Sequence, residues 1–385
     1  MNDTVRSLFS IVRSELYGTE PSAASVTESA LESIYGIAHT YGIDQLVGDA
    51  VVRRKLLPED GELYKKYKKS VDVSIYQTTL LDFWTSRVSK CFDDAAIPYV
   101  PLKGSGIRKL YPMPFMRSSC DIDVLVKTAD LKRAVGELEK LGFRQDSGSS
   151  HDISLYLDRR IHVELHYETV EKGKAAAANE VLSHIWEYCE NTSGCEYVQN
   201  DAMRYFYIVA HAAKHLEGGG CGIKPFIDIA VLNDLPENDA EGRKKLISDG
   251  GLDKFEKCAK ALSEYWLKDG EPDRTVLLLE ELVLSGDCYG GVENKIVIDK
   301  AKKSRAGYVM SRAFPPYDYL KYRYPVLQKH KILYPFMIVR RLFGSLSKKN
   351  IERTKNELNT VNSDTESEEM KVCSLLNELG LGDDL

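Results

Sequence analysis

"PLKGSGIRKLYPMPFMRSSCDIDVLV" (Pro101–Val126) joins two strand-like runs through a glycine-serine turn and places Asp121 and Asp123 one residue apart on the second run. Side chains alternate between the faces of a strand. Asp121, Asp123 and Leu125 therefore share one face, while Ile122, Val124 and Val126 pack on the other. Two carboxylates converging in a partly dry place repel each other, and a divalent cation or a cationic side chain is needed to keep both ionised. A second stretch, "ISLYLDRRIHVELHY" (residues 153–167), reads as two strands folded back at Asp158–Arg160. Its alternation puts His162, Glu164 and His166 on one face and Ile161, Val163 and Leu165 on the other. Asp121, Asp123 and Glu164 thus form a candidate set of metal ligands. Hard Mg2+, or Mn2+, suits such oxygen donors, and three acids on neighbouring strands can hold two ions about 3.5–4 Å apart.

Working outward, "IPYVPL" (residues 97–102) is another β-rich run, and "TADLKRAVGELEKLGF" (residues 128–143) reads as a helix with Thr128 as cap and Gly142 just past its end. The order from Tyr99 to Tyr167 is strand, helix, strand, helix, strand or strands, which makes a small mixed sheet backed by helices. Apolar residues recur at helical spacing from Val26 to Phe92, and again over most of residues 174–346, where "LEGGGCG" (216–222) and "LSGDCYGGVEN" (284–294) read as loops. The expected class is mixed α+β, in four parts. These are an N-terminal helical region (1–95), the α/β core (96–172), a C-terminal helical domain (173–346) and a charged, flexible tail (347–385) in which "MKVCSLLNELGL" reads as a short docking helix.

Composition excludes several classes. The chain has 385 residues, 43% apolar and 29% charged, and a formal net charge of -6 that supplies no general field for a polyanion, which argues against nucleic acid as a partner. Eight scattered cysteines without a CxxC pair read as reduced thiols and point to the cytoplasm. The N-terminus lacks the pattern of a signal peptide. "ILYPFMIVRRLF" (residues 332–343) is too short for a membrane span and is broken by Pro335, Arg340 and Arg341.

The turn supplies a second candidate function. Gly104 and Ser105, placed after a strand and at the start of a helix, can aim backbone N–H groups and a hydroxyl at a phosphate, and Lys103 and Arg117 add positive charge. Neither GxxxxGK[ST] nor GxGxxG is present. Further along, His211 and His215 lie four apart on a presumed helix, within reach of Lys214 and with Asp228 as a conceivable third member. Ala212 stands where a zinc protease needs glutamate, so these histidines read as hydrogen-bonded groups of a cleft wall. His166 reads as a partner of a carboxylate or a phosphate.

In this order the motifs resemble the nucleotidyltransferase superfamily related to DNA polymerase beta. More closely, residues 99–126 followed by "IHVELHYE" (161–168) resemble the uncharacterised nucleotidyltransferase family written NTP_transf_5, with weaker likeness over residues 28–345. The resemblance implies metal-dependent transfer of a nucleoside monophosphate from a nucleoside triphosphate (NTP) to a hydroxyl of a small molecule or a protein. Asp121, Asp123 and Glu164 would be the metal ligands, and Glu164 would also act as base. Two other readings stay open: a catalytically silent nucleotide-binding or interaction module, and a phosphotransferase or toxin-antitoxin component using the same site.

Overall fold

Strands rich in β-branched residues bury their backbone polar groups by pairing, and here they do so in one sheet. Its strands are β1 (Tyr99–Pro101), β2 (Asp121–Val126), β3 (Arg144–Gly148), β4 (Asp152–Leu157), β5 (Ile161–His166), β6 (Cys189–Ser193) and β7 (Glu196–Gln199), ordered β3-β4-β5-β2-β1-β7-β6. The structure is a computed structural model. It describes residues 2–169, 176–286, 326–344 and 366–382, with a few positions between 310 and 324. Residues 347–365 and 383–385 of the tail expected over 347–385, and most of the loop expected at 284–294, lie outside the described residues.

The sheet is mixed. β2 runs parallel to β5 and antiparallel to β1, and β1 runs parallel to β7. Ile122, Val124, Val126, Val163 and Leu165 turn to one side and form a core with Leu81, Val88 and Phe92 of α4 (Glu62–Asp94) and Ala134 and Leu138 of α6 (Leu131–Lys140). On the opposite side Val100, Leu102 and Leu125 join a larger helical core. That core holds α1 (Asp3–Tyr17), α2 (Glu28–Thr40), α3 (Asp44–Arg53), the first half of α4, α7 (Ala176–Ser183), α8 (Asp201–Glu217), α9 (Lys224–Asn233), α10 (Ala240–Asp249), α11 (Asp253–Leu267) and α12 (Arg274–Leu284). Leu375, Leu376 and Leu379 of the helix Glu366–Glu378 and its end also enter it.

Local chemistry explains most boundaries. Asn2, Thr27, Asn200 and Asp273 accept hydrogen bonds from the backbone N–H three residues on and so cap α1, α2, α8 and α12. Gly142 follows α6 with φ 98°, a conformation glycine adopts without steric cost. Thr128 does not cap α6. It opens a short 3₁₀ turn (Thr128–Asp130), and its hydroxyl donates to the Tyr167 carbonyl at 3.0 Å.

Three strands depart from the expected pattern. β3 ("RQDSG") and the hairpin β6–β7 ("CENTS" and "EYVQ") lie at the two ends of the sheet, and the residues of β3 and β6 are mostly exposed. Edge strands with little to bury carry no period-2 apolar pattern, so backbone pairing alone defines them.

The 33 residues of α4 span about 50 Å and bridge the two cores, with Tyr64, Tyr67 and Val71 in the helical one and Leu81, Val88 and Phe92 under the sheet. Phe92 is fully buried. Phe92→Ala should cost about 3–5 kcal/mol in urea unfolding, through lost burial and the cavity left beneath β1 and β2.

Candidate active site

β2 and β5 are in parallel register, with Asp121 opposite His162, Asp123 opposite Glu164 and Leu125 opposite His166. Because the period is two, this register stacks carboxylates and imidazoles of both strands on the face turned toward α8 and α9. Donor atoms of Asp121, His162 and Glu164 all lie within 4.8 Å of one another, and so do those of Asp123, Glu164 and His166.

Asp123 is buried, and its Oδ1 accepts from Lys103 Nζ at 3.1 Å and contacts His166 Nε2 at 3.0 Å. Burial alone would push its pKa up, but the Lys103 charge and the hydrogen bonds from His166 and Lys103 win, and the group stays ionised far below the usual carboxylate range. Asp121 has no such partner of its own. Burial, then repulsion from Asp123 and Glu164, raises its pKa to about 6, with Lys103 only partly offsetting them. His166 loses basicity through burial but gains more from its bonds to Asp123 and Glu164, so its net shift is upward.

Lys103 reaches Asp123 from a strained backbone. Its φ of 41° is rare for a residue with a Cβ, and it sits where the chain leaves β1 and enters α5 (Gly104–Ile107). The extension of β1 is pinned by Leu102 N–H donating to Asp123 O at 3.0 Å, and the Lys103 carbonyl accepts from Ile107 N–H at 3.0 Å. A methyl group at Gly104 would come within 3.0 Å of Ser119 Cβ and Oγ, so glycine permits this close approach. The Ser105 hydroxyl turns inward and donates to the Leu102 carbonyl at 3.3 Å.

Of the residues singled out from the sequence, all but Ser105 and His162 line one cleft of about 580 Å³ between the sheet and the α8–α9 helices. Its far wall carries His211, Lys214 and His215 of α8. His211 Nε2 and His215 Nε2 are 3.1 Å apart, so one is donor and the other acceptor. Burial first, then the neighbouring positive charges, holds His211 well below its ordinary pKa, so the ring is neutral. Arg117 is engaged elsewhere in the cleft. Its Nε and Nη2 donate to the two Asp228 oxygens at 2.7 and 2.8 Å, and Tyr111 donates to the same Oδ1 at 2.7 Å. This buried pair ties the approach to β2 onto α9, and Arg117 and Tyr111 take the oxygens that Asp228 would have offered to the histidines.

Several residues of the site carried no readable signal in the sequence. His151 stacks on His166 with ring centroids 6.3 Å apart, Tyr207 stacks on His211, and Ser119 and Lys224 line the cleft. Only the fold brings them to β2. His162 was legible as a residue on the acid face, yet its approach to Asp121 and Glu164 depends on the β2–β5 register.

Two outcomes follow from this geometry. Arg117→Ala should destabilise the protein by about 3–5 kcal/mol in denaturant unfolding, because it leaves Asp228 buried and unpaired. Arg117→Lys should recover only part of that loss, since an ammonium cannot form the two-pronged contact. The second outcome concerns pH. A carboxyl whose pKa is raised on folding costs stability when ionised, so in the metal-free protein the penalty from Asp121 should shrink as pH falls from 7 through about 6 and be gone below about 3.9, while the lowered pKa of His211 acts in the opposite direction below about 6.5. His166 adds in the same direction as Asp121, because the stability from its raised pKa is present below about 6.5 and lost as pH rises. Asp121→Asn should therefore raise the melting temperature at pH 7 relative to the wild type, and the difference between the two should shrink as pH falls from 7 to 5, measured by calorimetry in the presence of a chelator.

No curated protein and no solved structure matches the chain. Residues 27–268, more than half of its length, match a family model described as an uncharacterised nucleotidyltransferase, and this span contains the turn, the three acids and the cleft-lining helices α8 and α9. The chain belongs to this family of uncharacterised nucleotidyltransferases.

Proposed function

We propose that the protein moves a nucleoside monophosphate from an NTP to a hydroxyl of a small molecule or a protein, with Mg2+ or Mn2+ held by Asp121, Asp123 and Glu164. The observation that carries this reading is the convergence of three carboxylates from register-paired positions of β2 and β5 on the wall of one cleft. The donor set fits a divalent cation: it combines carboxylate oxygens with a cluster whose mutual repulsion raises the Asp121 pKa, and a bound cation would relieve that repulsion. When bound, such an ion neutralises phosphate charge and lowers the pKa of an acceptor hydroxyl.

The protein's own residues divide the remaining work. Lys103 and Gly104 stand beside the acids at the end of the cleft suited to phosphate, while Ser105 lies outside the cleft lining and ties the turn through its hydroxyl, donated to the Leu102 carbonyl. Lys214 and Lys224 face them from the helical side with further positive charge. Glu164, with its side chain 27% exposed against 4% for Asp123, is the carboxylate open to an acceptor and suited to take its proton. Arg117 acts through Asp228, holding the approach to β2 in place. Positioning and charge neutralisation, which dominate phosphoryl-group chemistry, are what such a rigid sheet and cleft supply. The net charge of -6 favours a small-molecule or protein acceptor over nucleic acid.

Calorimetric titration of ATP, GTP, CTP and UTP, with and without Mg2+, tests this reading. Binding of a nucleotide that requires the metal and is lost in the Asp121→Asn, Asp123→Asn double variant is expected. Nucleotide binding that ignores both the metal and the double substitution would overturn it. Mass spectrometry of an acceptor then separates transfer of a nucleoside monophosphate from transfer of a bare phosphate, the mark of a phosphotransferase.

A further inference from the structure

The two aspartates of β2 are not equivalent. Asp123 already has Lys103 and His166 on one oxygen, whereas Asp121 faces Glu164 and, in register on β5, His162. The His162 imidazole is held by the Tyr156 ring of β4, stacked at 4.3 Å and only 5° from parallel, and Tyr156 pairs with His162 across the β4–β5 ladder. This stack fixes the plane of the ring without using its nitrogens. Among the described residues, Nε2 of His162 is buried and has no hydrogen-bond partner, a costly state for a polar atom. Yet a donor atom of this residue lies within 4.8 Å of donor atoms on both Asp121 and Glu164.

We infer that His162 is a metal ligand, forming with Asp121 and Glu164 a mixed imidazole-carboxylate site that selects Mn2+ or another transition-metal dication over Mg2+. The inference rests on the metal-dependent reading above and gives it a chemical preference. An all-oxygen set suits Mg2+, which is hard and keeps strict octahedral geometry, while one imidazole moves affinity toward softer dications along the Irving–Williams series. Tyr156 then serves as the orienting partner that a ligating histidine ordinarily finds in a hydrogen-bonding group. Coordination through Nε2 would also supply the partner that this buried nitrogen lacks among the described residues. Glu164 belongs both to this group of donors and to the Asp123–Glu164–His166 group beside it.

The test is pulsed electron paramagnetic resonance of Mn2+ bound to the full-length protein without nucleotide, read as 14N modulation of the echo. The wild type should show coupling to a directly bound imidazole nitrogen. His162→Gln should lose it and bind Mn2+ more weakly with little change for Mg2+, while His166→Gln keeps the coupling. Circular dichroism establishes that each variant is folded, and His162→Asn stands in if the glutamine variant is not. Mn2+ bound without 14N coupling in the wild type, or coupling that survives replacement of His162, would overturn the inference and leave the carboxylate site standing. Absence of any Mn2+ or Mg2+ binding by the wild type would instead overturn the metal-dependent reading on which it rests.

Discussion

A buried carboxylate at Asp123, kept ionised by Lys103 and His166, is the constraint around which the site is organised. Removing a charge from water is costly unless it is paired and hydrogen-bonded, and both partners are delivered by backbone geometry. Lys103 comes from the strained exit of β1, and His166 comes from the strand beside β2. Because Leu102 also donates its N–H to the Asp123 carbonyl, the same residue is anchored through its main chain and its side chain. The positive φ at Lys103 is thus maintained by contacts on both sides of it.

From that fixed point the electrostatics become unequal. Asp123 is satisfied within the protein, while Asp121 shares a dry face with two other acids and has no cation of its own. The site therefore pairs one compensated carboxylate with one whose charge the neighbouring groups offset only in part. His162, stacked on Tyr156 with its buried nitrogen unpartnered among the described residues, lies in register with the latter.

The opposite wall of the cleft is tied to the same strand by a different pair. Arg117 in the approach to β2 and Asp228 on α9 form a two-pronged buried contact reinforced by Tyr111. Arg117 was singled out in the sequence as positive charge beside the phosphate-suited turn, and in the folded chain it serves the join between sheet and helices. α4 makes a second join, since its two halves belong to the two cores that sandwich the sheet. The cleft is therefore framed by elements whose relative positions are set by packing on both faces of β2.

Much of the central sheet was legible without coordinates, because period-2 alternation in "DIDVLV" and "RIHVELHY" decides which side chains face the core and which face the acids. The helix after β2, its glycine stop and the chain reversal at Asp158–Arg160 follow equally from local patterns. The polar edge strands β3 and β6 did not show themselves, since a strand that buries few side chains leaves no hydrophobic period and exists only through its backbone partner, and β7 is a four-residue strand too short to display a period. The sequence by itself determined the alternation, the identities of the acids and the family likeness, all of which are properties of short stretches. Tertiary structure alone decided that Asp121 meets His162, that Lys103 and His166 neutralise Asp123, and that Arg117 belongs to Asp228, because each pairing joins residues distant in the chain and depends on strand register or helix packing that no local segment encodes.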